Sequence, residues 1–333
     1  MRKTIVAVLL VLLLAAGLFA EGRQEGAEET YKITAGIGLN DKSAQYESLI
    51  YFKELVEKES AGRIIVDVYH SSQLGDDREM MEALQRGEQE MTCPSTAPMV
   101  PFVPEYGVFD LPFLFPSEAE ADKVLDSAVG QQLLDKLSDI GIKGLVFWEN
   151  GYRNLTNSYQ TVRTPTDVKG MRVRTMENPM HLDAWRAMGA NPAPMAFGEL
   201  FSAMQQGVVD GQENPWGTIY LQNFFEVQDY ATDTGHVYSP FVLMIAQSFW
   251  DRLPADLQGI VMDAAVKSRD HNRDLNRRYN KEYMEKLKDV MEVTVLTPAE
   301  KAEFQKAVQP VYAKYADTIG QSLIDDVLAE MKK

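Results

Sequence analysis

The sequence predicts an α/β fold organised as two domains. Three observations carry this. Strand-like and helix-like patterns alternate along the chain, short glycine-marked turns join them, and 333 residues of 45% hydrophobic composition exceed what one small core requires. Tyr31 to Leu39 alternates as a strand, and Ser43 to Ser60 repeats Tyr46, Leu49, Phe52, Leu55 and Val56 at helical spacing before Gly62. Arg63 to Tyr69 is a second strand. Asp76 to Arg86 is a short helix that buries Met80, Met81 and Leu84 and stops at Gly87. A weak strand at Glu90 to Pro94, a helix over Ser117 to Ile140 and a strand over Ile142 to Trp148 complete a first unit with a largely parallel sheet.

A second unit starts near Asn150. Gly170 to Thr175 reads as a strand, Leu182 to Met188 and Gly198 to Gln206 as helices, and Val237 to Ala246 as a strand. Pro254 to Met291 is one long, mostly polar helical pattern, roughly 50 Å at 1.5 Å per residue. That is too long for one small domain, so it bridges two or lies across their backs. Thr297 to Glu300 has the form of a capping box with proline at the first helical position and opens a C-terminal helix.

The first residues concern the compartment. Arg2 and Lys3 precede an apolar run from Thr4 to Ala20, and the charged segment EGRQEGAEET follows. This is the pattern of a secretory signal, cleaved after Ala20, with a flexible linker over residues 21–30. The expectation is export to the periplasm with no membrane insertion after cleavage. Cleavage removes two positive charges and moves the net charge from −16 to −18. Such a surface repels nucleic acid and anionic lipid. The single cysteine, Cys93, allows no intramolecular disulfide.

Catalytic signatures fail. The chain has no GxSxG elbow and no P-loop, and GIGLND at 36–41 lacks the third glycine of a dinucleotide fingerprint. His70, His181, His236 and His271 have no metal-ligand spacing. No enzyme activity, metal or cofactor is therefore expected. What the sequence does offer lies between Asn150 and Trp216. Arg153 and Arg174, with the amide of Asn214, sit beside strand ends or loops. A guanidinium is planar and always charged, and can hold both oxygens of a carboxylate. A small organic acid is the ligand these groups suit.

Five separated blocks carry a resemblance: SSQLGDDREMMEALQRGEQEM (71–91), NGYRNLTNS (150–158), DVKGMRVRT (167–175), GANPAPMAFGELFSAMQQGVVDGQENP (189–215) and FWDRLP (249–254). In this order they resemble the extracytoplasmic solute-binding proteins of TRAP transporters, the DctP family, from about Tyr31 to the C-terminus. The resemblance implies a two-domain periplasmic-binding-protein fold with a hinge, a ligand cleft between the domains and a long helix spanning both. It implies domain one over 31–150 plus 240–279 and domain two over 151–239 plus 280–333. It also implies a monomer that closes on its ligand and docks on a TRAP permease in the membrane. A ligand-presenting protein for a sensor kinase is the alternative use of such a fold, and an exported enzyme a remoter one.

Residue by residue, the resemblance implies that Arg174 makes the bidentate carboxylate contact, that Arg153 is a second arginine and that Asn214 is the amide beside them. Phe197 matches an apolar cleft wall, and Asn40 and Asp77 match polar contacts from domain one. Trp216 is expected against the ligand body, with Glu213 and Tyr152 as weaker candidates. Ser95 stands where sialic-acid binders of the family carry a glutamate, which turns the expectation toward four-carbon dicarboxylates, sugar acids such as uronates and aldonates, or other hydroxy and keto acids.

Overall fold

The computed structural model describes residues 29–333, so the expected signal segment and most of the expected linker lie outside the described residues. The strands are β1 (Tyr31–Gly36), β2 (Ile64–Tyr69), β3 (Met91–Thr92), β4 (Ile142–Asn157), β5 (Arg172–Thr175), β6 (Asn191–Pro194), β7 (Gly211–Asn214), β8 (Tyr230–Ala246) and β9 (Glu292–Val295). The helices are α1 (Ala44–Glu59), α2 (Asp77–Arg86), α3 (Glu118–Leu125), α4 (Ala128–Lys136), α5 (Pro179–Ala187), α6 (Leu200–Gln205), α7 (Trp216–Leu221), α8 (Gln247–Trp250), α9 (Ala255–Leu287), α10 (Pro298–Ala307), α11 (Gln309–Ile319) and α12 (Gln321–Glu330).

The strands form one sheet in the order β2-β1-β3-β8-β4-β7-β5-β6, with β9 added beside β8. Two strands of unusual length make this possible. β4 and β8 pair antiparallel from Ile142↔Ala246 to Asn157↔Tyr230. At one end β8 pairs with β3, through Met91↔Ile245 and Thr92↔Met244. At the other end β4 pairs with β7, through Asn154↔Asn214 to Asn157↔Gly211. The first lobe therefore gathers around β2, β1 and β3, the second around β7, β5 and β6, and β4 and β8 run through both. The expected largely parallel sheet is corrected here. β1, β2 and β3 are mutually parallel, as are β7, β5 and β6, but the shared pair that joins the two groups is antiparallel.

Local chemistry explains most element ends. Ser43 caps α1 by accepting from Tyr46 N, and α2 carries a capping box at its start and Gly87 in the left-handed conformation at its end. The single helix expected over 117–140 is broken, because Ser127 caps a new helix by accepting from Val129 N. Thr297 and Glu300 form the expected capping box at α10.

The long helix α9 has 33 residues, about 50 Å at 1.5 Å per residue, and packs on α1, β4 and α7. It thus touches both lobes. Arg273 pairs with Asp126 after α3, Arg277 bridges Asp122 and Glu149, Tyr279 donates to Glu47 on α1, and Asn280 accepts from Gly217 N on α7. The C-terminal helices double back: α11 packs on residues 104–110 and on α5, and α12 on α3 and α4. One buried apolar cluster runs from Ile33 and Phe52 through Phe147 and Trp148 to Trp185, while a smaller one joins Leu200, Trp216, Ile219 and Leu287. Among the described residues no helix is long and apolar enough to cross a membrane.

Candidate functional site

A cavity opens where the lobes face each other. Gly38, Leu39, Gln45, Asp76, Asp77, Arg78, Ser95 and Pro98 line it from the first lobe. Arg174, Met176, Glu177, Met195, Ala196, Phe197 and Asn214 line it from the second, and Asn150, Arg153 and Phe241 come from the crossing strands.

The cationic wall is a product of strand order. Arg153 lies on β4, Asn214 on β7 and Arg174 on β5, three strands adjacent in the sheet. Neighbouring strands lie about 4.8 Å apart, so residues up to 61 positions apart in sequence meet at one cavity. Arg153 is 1% exposed and Arg174 2%, yet the two are held differently.

The Arg153 guanidinium is bound by Glu213, through Nε to Oε2 and through Nη2 to Oε1 at 2.9 Å, and Nη2 also donates to Asn214 Oδ1 at 3.1 Å. Its buried Nη1 has no hydrogen-bond partner among the described residues. Glu213 in turn lies 3.2 Å from His236 Nε2. Burial opposes ionisation of Glu213, but the Arg153 charge and the His236 contact more than offset it and hold the carboxyl well below its usual range. Burial also lowers the pKa of His236, whose Nδ1 pairs with Thr234 Oγ1 at 2.8 Å.

Arg174 has no carboxylate partner among the described ion pairs. Its Nε and Nη2 donate to Met195 O at 2.9 and 2.6 Å, and its guanidinium carbon lies 6.0 Å from the centre of the Phe197 ring. The surface pairing with Glu177 that a strand arginine could adopt is not formed. Burial lowers its pKa to about 10, so it stays charged at neutral pH. A buried cation fixed by a carbonyl and an aromatic face, with no acid against it, is the arrangement that accepts an external anion.

The facing wall is acidic and polar. Asp77 Oδ2 accepts from Ser95 N at 3.0 Å, and Asn150 Nδ2 donates to Ser95 Oγ at 3.4 Å. Burial raises the Asp77 pKa to about 6 against the opposing Ser95 hydrogen bond. Asp76 is committed elsewhere, with Oδ1 accepting from Ser72 Oγ and, across the cleft, from Gly198 N, both at 3.1 Å. Among the described residues no group of three metal-ligating side chains occurs.

The sequence-selected residues thus divide. Arg174, Arg153, Asn214, Phe197, Asp77 and Ser95 meet at the cavity, with Glu213 directly behind Arg153. Asn40 is not among the lining residues, and its Nδ2 donates to Leu221 O at 2.8 Å, from one lobe to the other. Trp216 and Tyr152 line a different cavity, together with Phe113, Phe115, Asp233, Arg277 and Lys301. Strand alternation is the reason for Tyr152: successive residues of β4 point to opposite faces, so Arg153 and Tyr152 cannot share one. Sequence reading missed Asp76, Arg78, Gln45, Asn150, Met195 and Phe241. Of the Asp-Asp-Arg run over 76–78 only Asp77 was expected at the site, whereas Gln45 on α1 and Phe241 on β8 reach the cleft only through tertiary packing.

Comparison with known proteins agrees with this architecture. Residues 35–318 match the family model DctP, bacterial extracellular solute-binding protein, family 7. A solute-binding protein of Verminephrobacter eiseniae is 39% identical over 90% of this chain and 89% of its own length. The C4-dicarboxylate-binding periplasmic protein DctP of Rhodobacter capsulatus is 36% identical over 84% of each chain. The crystal structure of the sugar acid binding protein DctPAm of Advenella mimigardefordensis, in complex with galactonate, superposes with a TM-score of 0.89 at 38% identity, covering 91% of this chain and 98% of that one. With its two lobes joined by shared strands, its spanning helix and this likeness over nearly the whole described chain, the protein belongs to the DctP family of bacterial extracellular solute-binding proteins of TRAP transporters.

Proposed function

We propose that this protein captures a small organic acid in the cleft between its lobes and hands it to a TRAP-type permease from the periplasmic side. The single observation that carries this is Arg174, a buried cation in the cleft wall without an acid partner. In this reading Arg174 takes the ligand carboxylate, and the unpartnered Nη1 of Arg153 adds a donor beside it. Glu213 and His236 fix the Arg153 plane from behind, and Asn214 accepts from it, so these groups position the clamp. Phe197 closes the apolar side.

A micromolar dissociation constant corresponds to about −8 kcal/mol. One buried ion pair does not deliver this, because desolvation offsets most of its Coulomb gain. Closure of the lobes and hydrogen bonds from the first-lobe wall must add to it. The test is a thermal-shift assay on ligand-free protein with galactonate as the probe. Wild type rises in Tm, while Arg174→Ala loses the rise and keeps its own unliganded fold. A full shift in the variant removes Arg174 from the binding role.

A further inference from the structure

The two walls of the cleft present different free groups, and this bears on which acid fits. Three cations line the cavity, Arg78, Arg153 and Arg174, against three acids, Asp76, Asp77 and Glu177. The charge of Arg153 is already met by Glu213. Arg78 is turned to the rim, where it pairs with Glu82 at 3.1 Å and stacks over Phe102 at 5.7 Å, with half its side chain exposed. Arg174 is thus the one lining cation both buried and without a carboxylate partner among the described residues. The wall accommodates one carboxylate.

The opposite wall offers what a second carboxylate cannot use. Asp77 spends Oδ2 on Ser95 N, and Oδ1 has no hydrogen-bond partner among the described residues. An acceptor enclosed in a cavity calls for a donor on the ligand. Gln45, also in the lining, makes its hydrogen bonds to Leu39 N through Oε1 at 3.4 Å and to Cys93 O through Nε2 at 2.6 Å, and none to Asp77. Asp76 adds a second negative charge on the same turn.

We propose that this cleft selects polyhydroxy monocarboxylates of the aldonate type over dicarboxylates, with Asp77 as the specificity-determining residue that accepts a ligand hydroxyl and repels a second acid. The inference rests on the reading of Arg174 as the carboxylate clamp. Sites built around a hydrogen bond to a ligand hydroxyl reject analogues lacking it more strongly than apolar pockets reject a changed shape, because a buried polar group is left unpaired.

The experiment is titration calorimetry at pH 8 on the full exported chain, freed of ligand by unfolding and refolding. The probes are galactonate, erythronate, succinate and glutamate, on wild type, Asp77→Asn and Arg174→Ala. Expected is binding of at least one aldonate about 100-fold tighter than succinate in wild type. In Asp77→Asn that ratio shrinks about tenfold or more, by weaker aldonate binding, stronger succinate binding or both. Succinate binding as tightly as the aldonates in wild type, with both lost in Arg174→Ala, overturns the selectivity and leaves the clamp standing. Glutamate outranking the aldonates overturns it too, since Asp77 would then be reading an ammonium group. Equal affinity for all probes in wild type and Arg174→Ala overturns the clamp itself. The wild-type ranking decides the case even if Asp77→Asn does not fold.

Discussion

Arg174 and Arg153 are both buried arginines on adjacent sheet strands, and their difference lies in what already touches them. Glu213 binds Arg153 on two nitrogens, which leaves a positioned donor with its charge spent; Arg174 rests on a carbonyl and a ring, which leaves its charge unspent. Asp77, across the cleft, has the opposite problem of an enclosed negative charge. Its pKa in the folded protein is raised to about 6 by burial, above the ordinary 3.8 expected of the unfolded chain. The folded state therefore binds this proton more tightly. The ionised carboxylate costs stability at pH 8, and that cost is relieved as pH falls through 6 toward 4. Asp77→Asn removes the charge at every pH. Unliganded wild type is expected to be less stable than the variant at pH 8, by about 1–3 kcal/mol, and to recover about two-thirds of that gap by pH 4.5. Urea denaturation of both proteins across this range reads the difference, and a gap independent of pH means that Asp77 is not enclosed as described.

At the scale of elements, the feature that makes the site is the bulged middle of β4. Register shifts occur between Glu149 and Gly151 and between Arg153 and Leu155 of the β4–β8 ladder, so the strand bends where it passes from lobe to lobe. Gly151 has φ +109°, and a Cβ built there would lie 3.0 Å from Asn280 Nδ2 and 3.4 Å from Asn276 Nδ2 of α9. Asn276 also donates to Asn150 O at 3.0 Å, so the bend is tied to the long helix. Gly151→Ala meets both a left-handed backbone and a crowded helix, and is expected to destabilise the protein by about 1–3 kcal/mol. Chemical denaturation showing unchanged stability would remove this account of the bend. The sequence NGYR announced a glycine beside the arginine, but not that its strand continues to Asn157. The polar residues Asn154, Thr156 and Asn157 disguised a strand buried on both faces, in which those groups are satisfied by Gly235, Gln228 and Gln160. Periodicity located α1, α2 and α9 because each buries one stripe against a neighbour. It missed β7 and β9, which are four residues each and carry no alternation of their own. In the cleft, residues whose side-chain type implies an anion, such as Arg174 and Arg153, were legible. Asn150 and Gln45 were not, since an amide in sequence does not declare which surface it will face.

At the scale of the molecule, the proposed capture makes affinity depend on how firmly the lobes close as well as on what touches the ligand. Asn40 was selected from sequence as a ligand contact, but its Nδ2 reaches Leu221 O at the end of α7, and its Oδ1 accepts from Lys42 N at 3.1 Å. The first of these bonds links the lobes away from the cavity lining. In an opened molecule both of its partners are hydrated, so the bond favours the closed form only by the net difference, about 0.5–1.5 kcal/mol. On the proposal that ligand binds the closed form, a smaller closed fraction lowers apparent affinity in proportion. Asn40→Ala is therefore expected to weaken galactonate binding about 2- to 10-fold, with most of the change in the dissociation rate and little change in which acids are preferred. The selectivity is the discriminating readout. A residue touching ligand would alter the ranking of galactonate, erythronate and succinate, whereas one that only ties the lobes weakens all three alike. Stopped-flow dissociation together with the calorimetric ranking separates the two, and a variant that changes the ranking while dissociating at the wild-type rate returns Asn40 to the ligand and takes it out of the closure.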